Sequence, residues 1–160
     1  MKTRLTIAAT LGCAILCACR ADAGPEQLVS GVSQLWFSGS PGPVYPMSAA
    51  WSAVVSGDED ATFPSTIALA RDYGAGRVVV LGHDGIFSNY GSVDNAVFLR
   101  NTVAWLDRSS GKQVKYSSGH GEWVNGSTLQ SLQTDLVGLG YTMGPAASPR
   151  APPGRAGTAV

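Results

Sequence analysis

Apolar and polar residues alternate in the middle of the chain, and this alternation predicts a β-hairpin. In the stretch 66–72, Ile67 and Leu69 fall on one face of a strand and small residues fall on the other. The run 77–81 is aliphatic at nearly every position, which is typical of a strand buried on both faces. Glycines within 73–76 supply the backbone freedom that a tight turn between the two strands needs.

Apolar residues at steps of three and four predict two helices farther along. The stronger helix spans 92–107, with Ser92 or Asp94 as its N-cap. The second helix opens at a capping-box pattern that begins with Ser127, and a glycine at 138 or 140 ends it. Shorter patterns predict strands at 51–56, at 113–117 and from residue 141, and a short helix over 27–35.

The order of these elements predicts the fold class. A hairpin is followed by helix, strand, helix and strand, and such alternation is typical of a parallel sheet with helices packed on it. We therefore expect an α/β domain over residues 24–143. Residues 144–160 are rich in Pro, Ala and Gly, and they predict a disordered low-complexity tail. A doubly wound domain has more strands than this, so we expect the sheet to be incomplete.

The first 23 residues predict an export signal. Lys2 and Arg4 precede an uncharged apolar run that is too short to span a bilayer. Two processing routes stay open: cleavage before Gly24, or a lipobox that ends at Cys19 and carries a lipid there. We therefore expect an exported protein that is periplasmic, outer-membrane-anchored or extracellular. Its contact with a membrane would occur only through that lipid.

Composition excludes several kinds of chemistry. All three cysteines lie within the predicted leader, so we expect no internal disulfide, thiolate metal site or cysteine nucleophile in the mature chain. The 11 basic and 11 acidic residues balance, and no basic cluster indicates nucleic-acid binding. Neither Gly-x-Ser-x-Gly nor His-Glu-x-x-His occurs. The sequence therefore predicts no catalytic residue, no metal and no cofactor.

Both histidines of the chain follow predicted strands, and they define a candidate ligand-binding site. The candidates after the strands 77–81 and 113–117 are His83, Asp84, His120, Glu122 and Trp123. If the two strands are neighbours in a parallel sheet, these side chains gather beyond its carboxyl edge, where ligands bind in open α/β sheets. The favoured interpretation is that each histidine closes a loop by hydrogen bonding to the backbone. Ligand binding and acid–base chemistry are the alternatives.

One longer block carries a family resemblance. It comprises the segment 68–85, which contains Gly-Arg-Val-Val-Val-Leu-Gly-His-Asp-Gly, and the helix segment 98–106, which ends in Trp-Leu. This block resembles the N-terminal domain of the TRP-channel-associated factor (TCAF) family and its gluzincin-peptidase-linked bacterial relatives, across residues 43–143. The resemblance implies an incomplete flavodoxin-like sheet, of the class I glutamine amidotransferase-like (ThuA-like) type, with a β-hairpin and flanking helices. The cysteine and zinc motifs of those folds are absent, so the resemblance implies no catalytic residues.

Together these patterns predict an exported, non-catalytic, amidotransferase-like domain. It would act as a binding or accessory module for an unknown ligand or protein. A fragment of a carbohydrate-acting or metal-dependent hydrolase is the first alternative, because ThuA-like relatives are linked to sugar metabolism. A truncated product without independent function is the second, and the low-complexity tail favours it.

Overall fold

The chain forms two small sheets with helices packed around them. The computed structural model describes residues 23–57, 65–108, 111–117 and 125–146. Its strands are β1 (Ser52–Ser56), β2 (Thr66–Tyr73), β3 (Gly76–Leu81), β4 (Gln113–Tyr116) and β5 (Thr142–Pro145). Its helices are a 3-10 helix (Pro25–Val29), α1 (Gly85–Ser88), α2 (Asn95–Leu106) and α3 (Gln130–Gly138). The α/β class expected from the sequence is confirmed.

Strands β1, β2 and β3 form an antiparallel sheet in that order. The predicted hairpin is confirmed, because Tyr73 pairs with Gly76 across a two-residue turn in which Gly74 has a φ of 57°. The central strand is β2, and its residues from Ile67 to Ala70 are all buried.

Burial in this sheet differs from the sequence prediction. The aliphatic run predicts β3 as the most buried strand, yet no residue of β3 is fully buried and Val80 is 37% exposed. Within the described residues β3 pairs only with β2, whereas β2 has a partner at both edges. An edge strand is less covered than a central one however apolar it is. The prediction that β3 is the most buried strand is therefore wrong.

Helix α2 forms the core with one face of β2. Ala68 and Ala70 belong to the same buried cluster as Phe98, Leu99 and Trp105. The two alanines have small side chains, so a helix can approach the sheet closely and place its large residues there. The long predicted helix is confirmed, although it begins at Asn95 and not at Ser92.

The side chain of Arg77 joins the hairpin to the end of α2. Its guanidinium stacks on the Trp105 ring, 4.6 Å from the ring centroid, and the side chain is only 8% exposed. Nη1 donates to the Trp105 carbonyl at 2.7 Å, and Nη2 donates to the Ala23 carbonyl at 3.2 Å. Nε donates to the Asp72 carboxylate at 3.3 Å. One arginine thus binds a carbonyl that the helix end would otherwise leave unpaired.

Strands β4 and β5 are parallel, and α3 connects them. The leucine stripe of α3 (Leu129, Leu132 and Leu136) is buried. This strand–helix–strand unit is the arrangement that the alternating pattern predicts. Strands β3 and β4 do not pair in the described part of the chain. A continuous flavodoxin-like sheet therefore stays a prediction.

Helix α3 ends in a glycine cap, as the sequence predicts. Gly140 has a φ of 84°, and its N–H donates to the Val137 carbonyl at 2.9 Å. The Tyr141 N–H donates to the Leu136 carbonyl at 2.9 Å, which completes a Schellman motif. The predicted capping box at the other end does not form, because Ser127 donates its hydroxyl to an asparagine side chain two residues earlier.

The segment 23–37 lies along α2 and is mostly irregular. The prediction of a helix over 27–35 is wrong beyond Val29, where the 3-10 helix ends. Gly31 then has a φ of 70°, a left-handed conformation that interrupts a right-handed helix. Leu28 is nevertheless fully buried, and Val32 and Leu35 pack against the core. The apolar spacing thus identified the buried residues but not the backbone conformation.

Polar side chains of α2 and its N-cap hold this irregular segment. The Asp94 carboxylate accepts the Ser33 N–H at 2.7 Å and the Gln34 N–H at 3.1 Å. The buried Asn95 side chain accepts the Trp36 N–H at 2.9 Å and donates to the Trp36 carbonyl at 2.8 Å. The Asn95 amide thus pairs with both backbone groups of Trp36, as the backbone of a neighbouring β-strand would.

Asn101 completes this set of side chains by donating to the Ser30 carbonyl at 2.8 Å. We call Asp94, Asn95 and Asn101 the α2 clamp. The clamp supplies backbone hydrogen bonds that a helix or strand would otherwise provide.

A second polar group ties α2 to α3. The Asp135 carboxylate accepts the Tyr90 hydroxyl at 2.6 Å and Arg100 Nη1 at 2.8 Å. Burial and the bond to Asp135 raise the pKa of Tyr90 far above its ordinary value. The hydrogen bond from Tyr90, and next the Arg100 guanidinium, lower the pKa of Asp135.

Replacing Asp135 by asparagine tests this tie. Because the pKa of Asp135 is lowered in the folded state, its ionised form stabilises the fold above the ordinary carboxyl pKa, and this contribution is lost as pH falls through the lower folded-state value. We expect Asp135→Asn to lower the free energy of unfolding at pH 7, by a margin that shrinks below about pH 4. Urea unfolding across pH measures it, with the exposed Glu26→Gln as control. A margin that is independent of pH would contradict this account.

Removing the Asn95 amide tests the α2 clamp. The fully buried Asn95 side chain bonds the Trp36 N–H, the Trp36 carbonyl and the Asn89 carbonyl, and Asn95→Ala removes all three bonds, each of which contributes about 1 kcal/mol. We expect the free energy of unfolding to fall by about 3 kcal/mol. Asn101→Ala removes a more exposed amide and should lower it less. Equal losses of unfolding free energy for the two variants in chemical denaturation would contradict the larger contribution assigned to the Asn95 bonds.

Candidate functional site

The predicted site begins where β3 ends, and glycine makes its geometry possible. Gly82 donates its N–H to the Ile67 carbonyl at 2.8 Å, and its own carbonyl accepts the Gly42 N–H at 3.1 Å. A Cβ at Gly82 would collide with the carbonyl oxygen of Gly42. The close approach of these two backbones therefore requires glycine at 82. It brings the loop 38–42 against the residues that follow β3.

His83 is bonded to the backbone of this same turn. Its Nδ1 accepts the Gly85 N–H at 2.7 Å, at the first residue of α1. An amide nitrogen can only donate here, so Nδ1 carries no proton, and the neutral ring has its proton on Nε2. The Asp84 carboxylate lies 3.6 Å from Nδ1, beyond hydrogen-bond distance. This is the loop-closing arrangement that the sequence analysis favours for His83.

Small residues surround the imidazole. A Cβ at Gly85 would lie 2.7 Å from His83 Nδ1 and 2.8 Å from Ser38 Oγ. A Cβ at Gly39 would lie 3.1 Å from His83 Nε2. We call Ser38, Gly39, His83, Asp84 and Gly85 the His83 tip. The tip presents an N–H donor, a hydroxyl and a carboxylate, with the imidazole and carboxylate side chains 29% and 39% exposed.

The other half of the predicted site lies outside the described residues. That half consists of His120, Glu122 and Trp123. The predicted lipid attachment residue, Cys19, also lies outside the described residues. The strands that precede the two histidines belong to different sheets in the described part. Within that part, no group of three or more His, Cys, Asp or Glu residues is arranged to hold a metal ion. Also within it, no helix has the length and apolarity to cross a bilayer.

A groove beside the His83 tip was not foreseen from the sequence. It has a volume of about 590 Å³ and lies between the segment 29–41 and β1. Its apolar lining includes Val32, Leu35, Phe37, Val54, Val55 and Ile67. Gly39 lines the groove and also abuts His83, so the groove and the tip are continuous. The apolar spacing of 28–35 is the available signal, but it predicts the buried face of a helix. We call this cavity the β1 groove.

Comparison with known proteins gives one likeness. The chain is similar to the TRPM8 channel-associated factor homolog of Xenopus laevis, with 30% identity over 127 residues. The match covers 72% of this chain and 13% of that protein, so the chain spans only a small part of its relative's length. No family model matches the chain. No solved structure matches it either. The likeness supports the TCAF resemblance, while the amidotransferase-like fold stays a prediction.

Proposed function

We propose that this chain is an exported accessory domain that binds a partner through the His83 tip and the β1 groove, and that it catalyses no reaction there. The two surfaces meet at Gly39. Together they offer a cleft lined by both apolar side chains and polar groups, with the titratable groups at one end, and such a concave surface is suited to binding. The partner's chemistry at His83 is that of a hydrogen-bond acceptor, because the ring presents its Nε2–H, while the Asp84 carboxylate beside it takes a donor.

The bond from Gly85 to His83 Nδ1 is the observation that carries this proposal. A histidine that acts as a general base needs a ring nitrogen with a free lone pair, which in the Ser-His-Asp arrangement is Nε2 while Nδ1–H donates to an orienting group. In this chain the arrangement is reversed, since Nδ1 accepts and Nε2 holds the proton. The ring can therefore donate a hydrogen bond to a bound group, but it is not set up to remove a proton from one.

The relative's name is in accord with an accessory role. The Xenopus laevis protein is named for its association with the TRPM8 channel, and not for a reaction. For the present chain this supports a binding role without identifying the partner. A carbohydrate-acting fragment would instead use a pair of carboxylates, and the His83 tip as described contains one, that of Asp84.

Two variants of His83 separate binding from folding. In His83→Asn the amide oxygen can still accept the Gly85 N–H, but the outward donor is lost. His83→Ala loses both. We expect His83→Asn to keep the melting temperature of the native chain and to lose partner binding. We expect His83→Ala to lose both binding and about 1 kcal/mol of stability.

Site-specific crosslinking in the exporting cell measures the binding. A photoreactive amino acid at Ser40 should give an adduct of defined mass, and His83→Asn should reduce its yield severalfold. The same amino acid at exposed Val137 on α3 is the matched control. Identical adducts at both positions, or a yield that is indifferent to His83→Asn, would contradict the proposed surface. Nitrogen-15 NMR showing the proton on Nδ1 would contradict the non-catalytic assignment.

We also propose that export proceeds through the lipobox route, with Cys19 as the lipidated residue. The Ala23 carbonyl accepts the Trp105 Nε1–H at 2.9 Å and the Arg77 Nη2–H at 3.2 Å. Trp105 is almost completely buried. Cleavage before Gly24 would remove this acceptor, whereas cleavage before Cys19 would keep it. The domain would then be tethered a few residues from the membrane.

The two mature N-termini are expected to differ in stability. A chain that starts at Gly24 lacks the acceptor for a buried indole N–H, so its free energy of unfolding should be about 1–3 kcal/mol lower than that of a chain starting at Cys19. Chemical denaturation of the two purified chains measures the difference. Intact-mass analysis of the exported native chain should find the lipid on Cys19. An N-terminus at Gly24 in that analysis would contradict the lipid assignment and leave the proposed binding surface unaffected.

A further inference from the structure

Arg71 lies at the opposite end of the antiparallel sheet from the His83 tip. It belongs to the last part of β2, whereas His83 follows the end of the antiparallel strand β3. Its guanidinium lies over two aromatic rings, 5.2 Å from the centroid of Trp51 and 5.1 Å from that of Tyr73. Trp51 faces Arg71 one step beyond the Ser52–Ala70 pair, and Tyr73 is two residues along the same face of the strand.

This arginine is oriented by the protein but is not neutralised by it. Arg71 Nε donates to the Asp72 carbonyl at 3.1 Å, which fixes the plane of the guanidinium together with the two rings. The Asp72 carboxylate points to other partners, Arg77 at 3.3 Å and Arg108 at 3.6 Å. Across the described residues, neither terminal nitrogen of Arg71 has a hydrogen-bond or ion-pair partner in the protein.

We propose that Arg71, walled by Trp51 and Tyr73, is a second binding site, and that it takes a carboxylate side chain of an acidic polypeptide segment. Two parallel N–H donors in a fixed plane match the two oxygens of a carboxylate. Aromatic walls exclude water from such a pair and thereby strengthen it. Tyrosine, tryptophan and arginine are also the residues that dominate protein interfaces. This site goes beyond the surface proposed above and does not depend on it.

A polypeptide fits this site better than an acidic sugar does. A sugar ring binds aromatic side chains by lying on a free ring face. Here the guanidinium already lies over one face of each ring. Tyr73 is 66% exposed and Val80 on the adjacent strand is partly exposed, so apolar surface flanks the guanidinium on the strand side. A carboxylate on an extended chain can reach the guanidinium while its neighbouring residues cover that surface.

Peptide titration of the full chain tests the site. The probe is acetyl-Gly-Glu-Gly-Glu-Gly-amide, with its glutamine counterpart as the matched peptide, and binding is followed by NMR of the Arg71 Nε–H and by Trp51 fluorescence. We expect a dissociation constant of about 1 mM for the glutamate peptide. Arg71→Lys should weaken binding severalfold and Arg71→Gln at least about tenfold. Lys115→Gln removes the same charge from exposed β4 and should leave binding unchanged.

Several results would overturn the proposal. One is equal affinity for the glutamate and glutamine peptides, and another is a loss in Lys115→Gln as large as that in Arg71→Gln. Preference for an oligogalacturonate over the peptide would show that the site serves acidic sugars instead. If circular dichroism shows that Arg71→Gln is unfolded, the test of the site rests on Arg71→Lys and on the Arg71 Nε–H resonance of the native chain. No shift of that resonance at 10-fold the expected dissociation constant would exclude the site.

Discussion

The structure depends on one constraint: a segment that packs against the core needs hydrogen-bond partners for its backbone even where it forms neither helix nor strand. The segment 30–37 is such a stretch, and the α2 clamp supplies its partners. Each of these bonds crosses about 60–70 residues of sequence, so they form only when the tertiary fold is in place. The β1 groove has this segment as one of its walls. A surface proposed for binding is thus shaped by polar side chains on a helix that does not line it.

The His83 tip shows how backbone contacts decide the role of a titratable side chain. The approach of the loop 38–42 to Gly82 and the start of α1 at Gly85 place a backbone N–H at His83 Nδ1. That single donor sets the tautomer, and the tautomer sets what the ring can do for a bound molecule. The same imidazole with a carboxylate at Nδ1 would be a candidate base. In this chain it is a donor.

Local patterns predicted the elements well where local forces determine them. The hairpin turn at Gly74, the apolar face of α2 and the glycine cap at Gly140 depend on residues close in sequence, and all three are present. The helix predicted over 27–35 failed because Gly31 and the distant Asp94 determine that backbone. The burial of β3 failed because coverage depends on which strands pair, and apolar composition does not encode pairing. For the same reason the sequence predicts His83 as a candidate but does not predict the β1 groove, which requires two separate segments to meet.

The buried guanidinium of Arg77 has a consequence for how the domain assembles. Its hydrogen bonds to Asp72, Trp105 and Ala23 form only when the hairpin, the end of α2 and the residue preceding Gly24 are all in place. Until then a permanent charge faces a partly formed interior, which is unfavourable. The three parts therefore gain their stability together, and a half-docked intermediate with Arg77 enclosed but unpaired is disfavoured. A folding transition that spans the hairpin and the helix as one cooperative event follows from this one side chain.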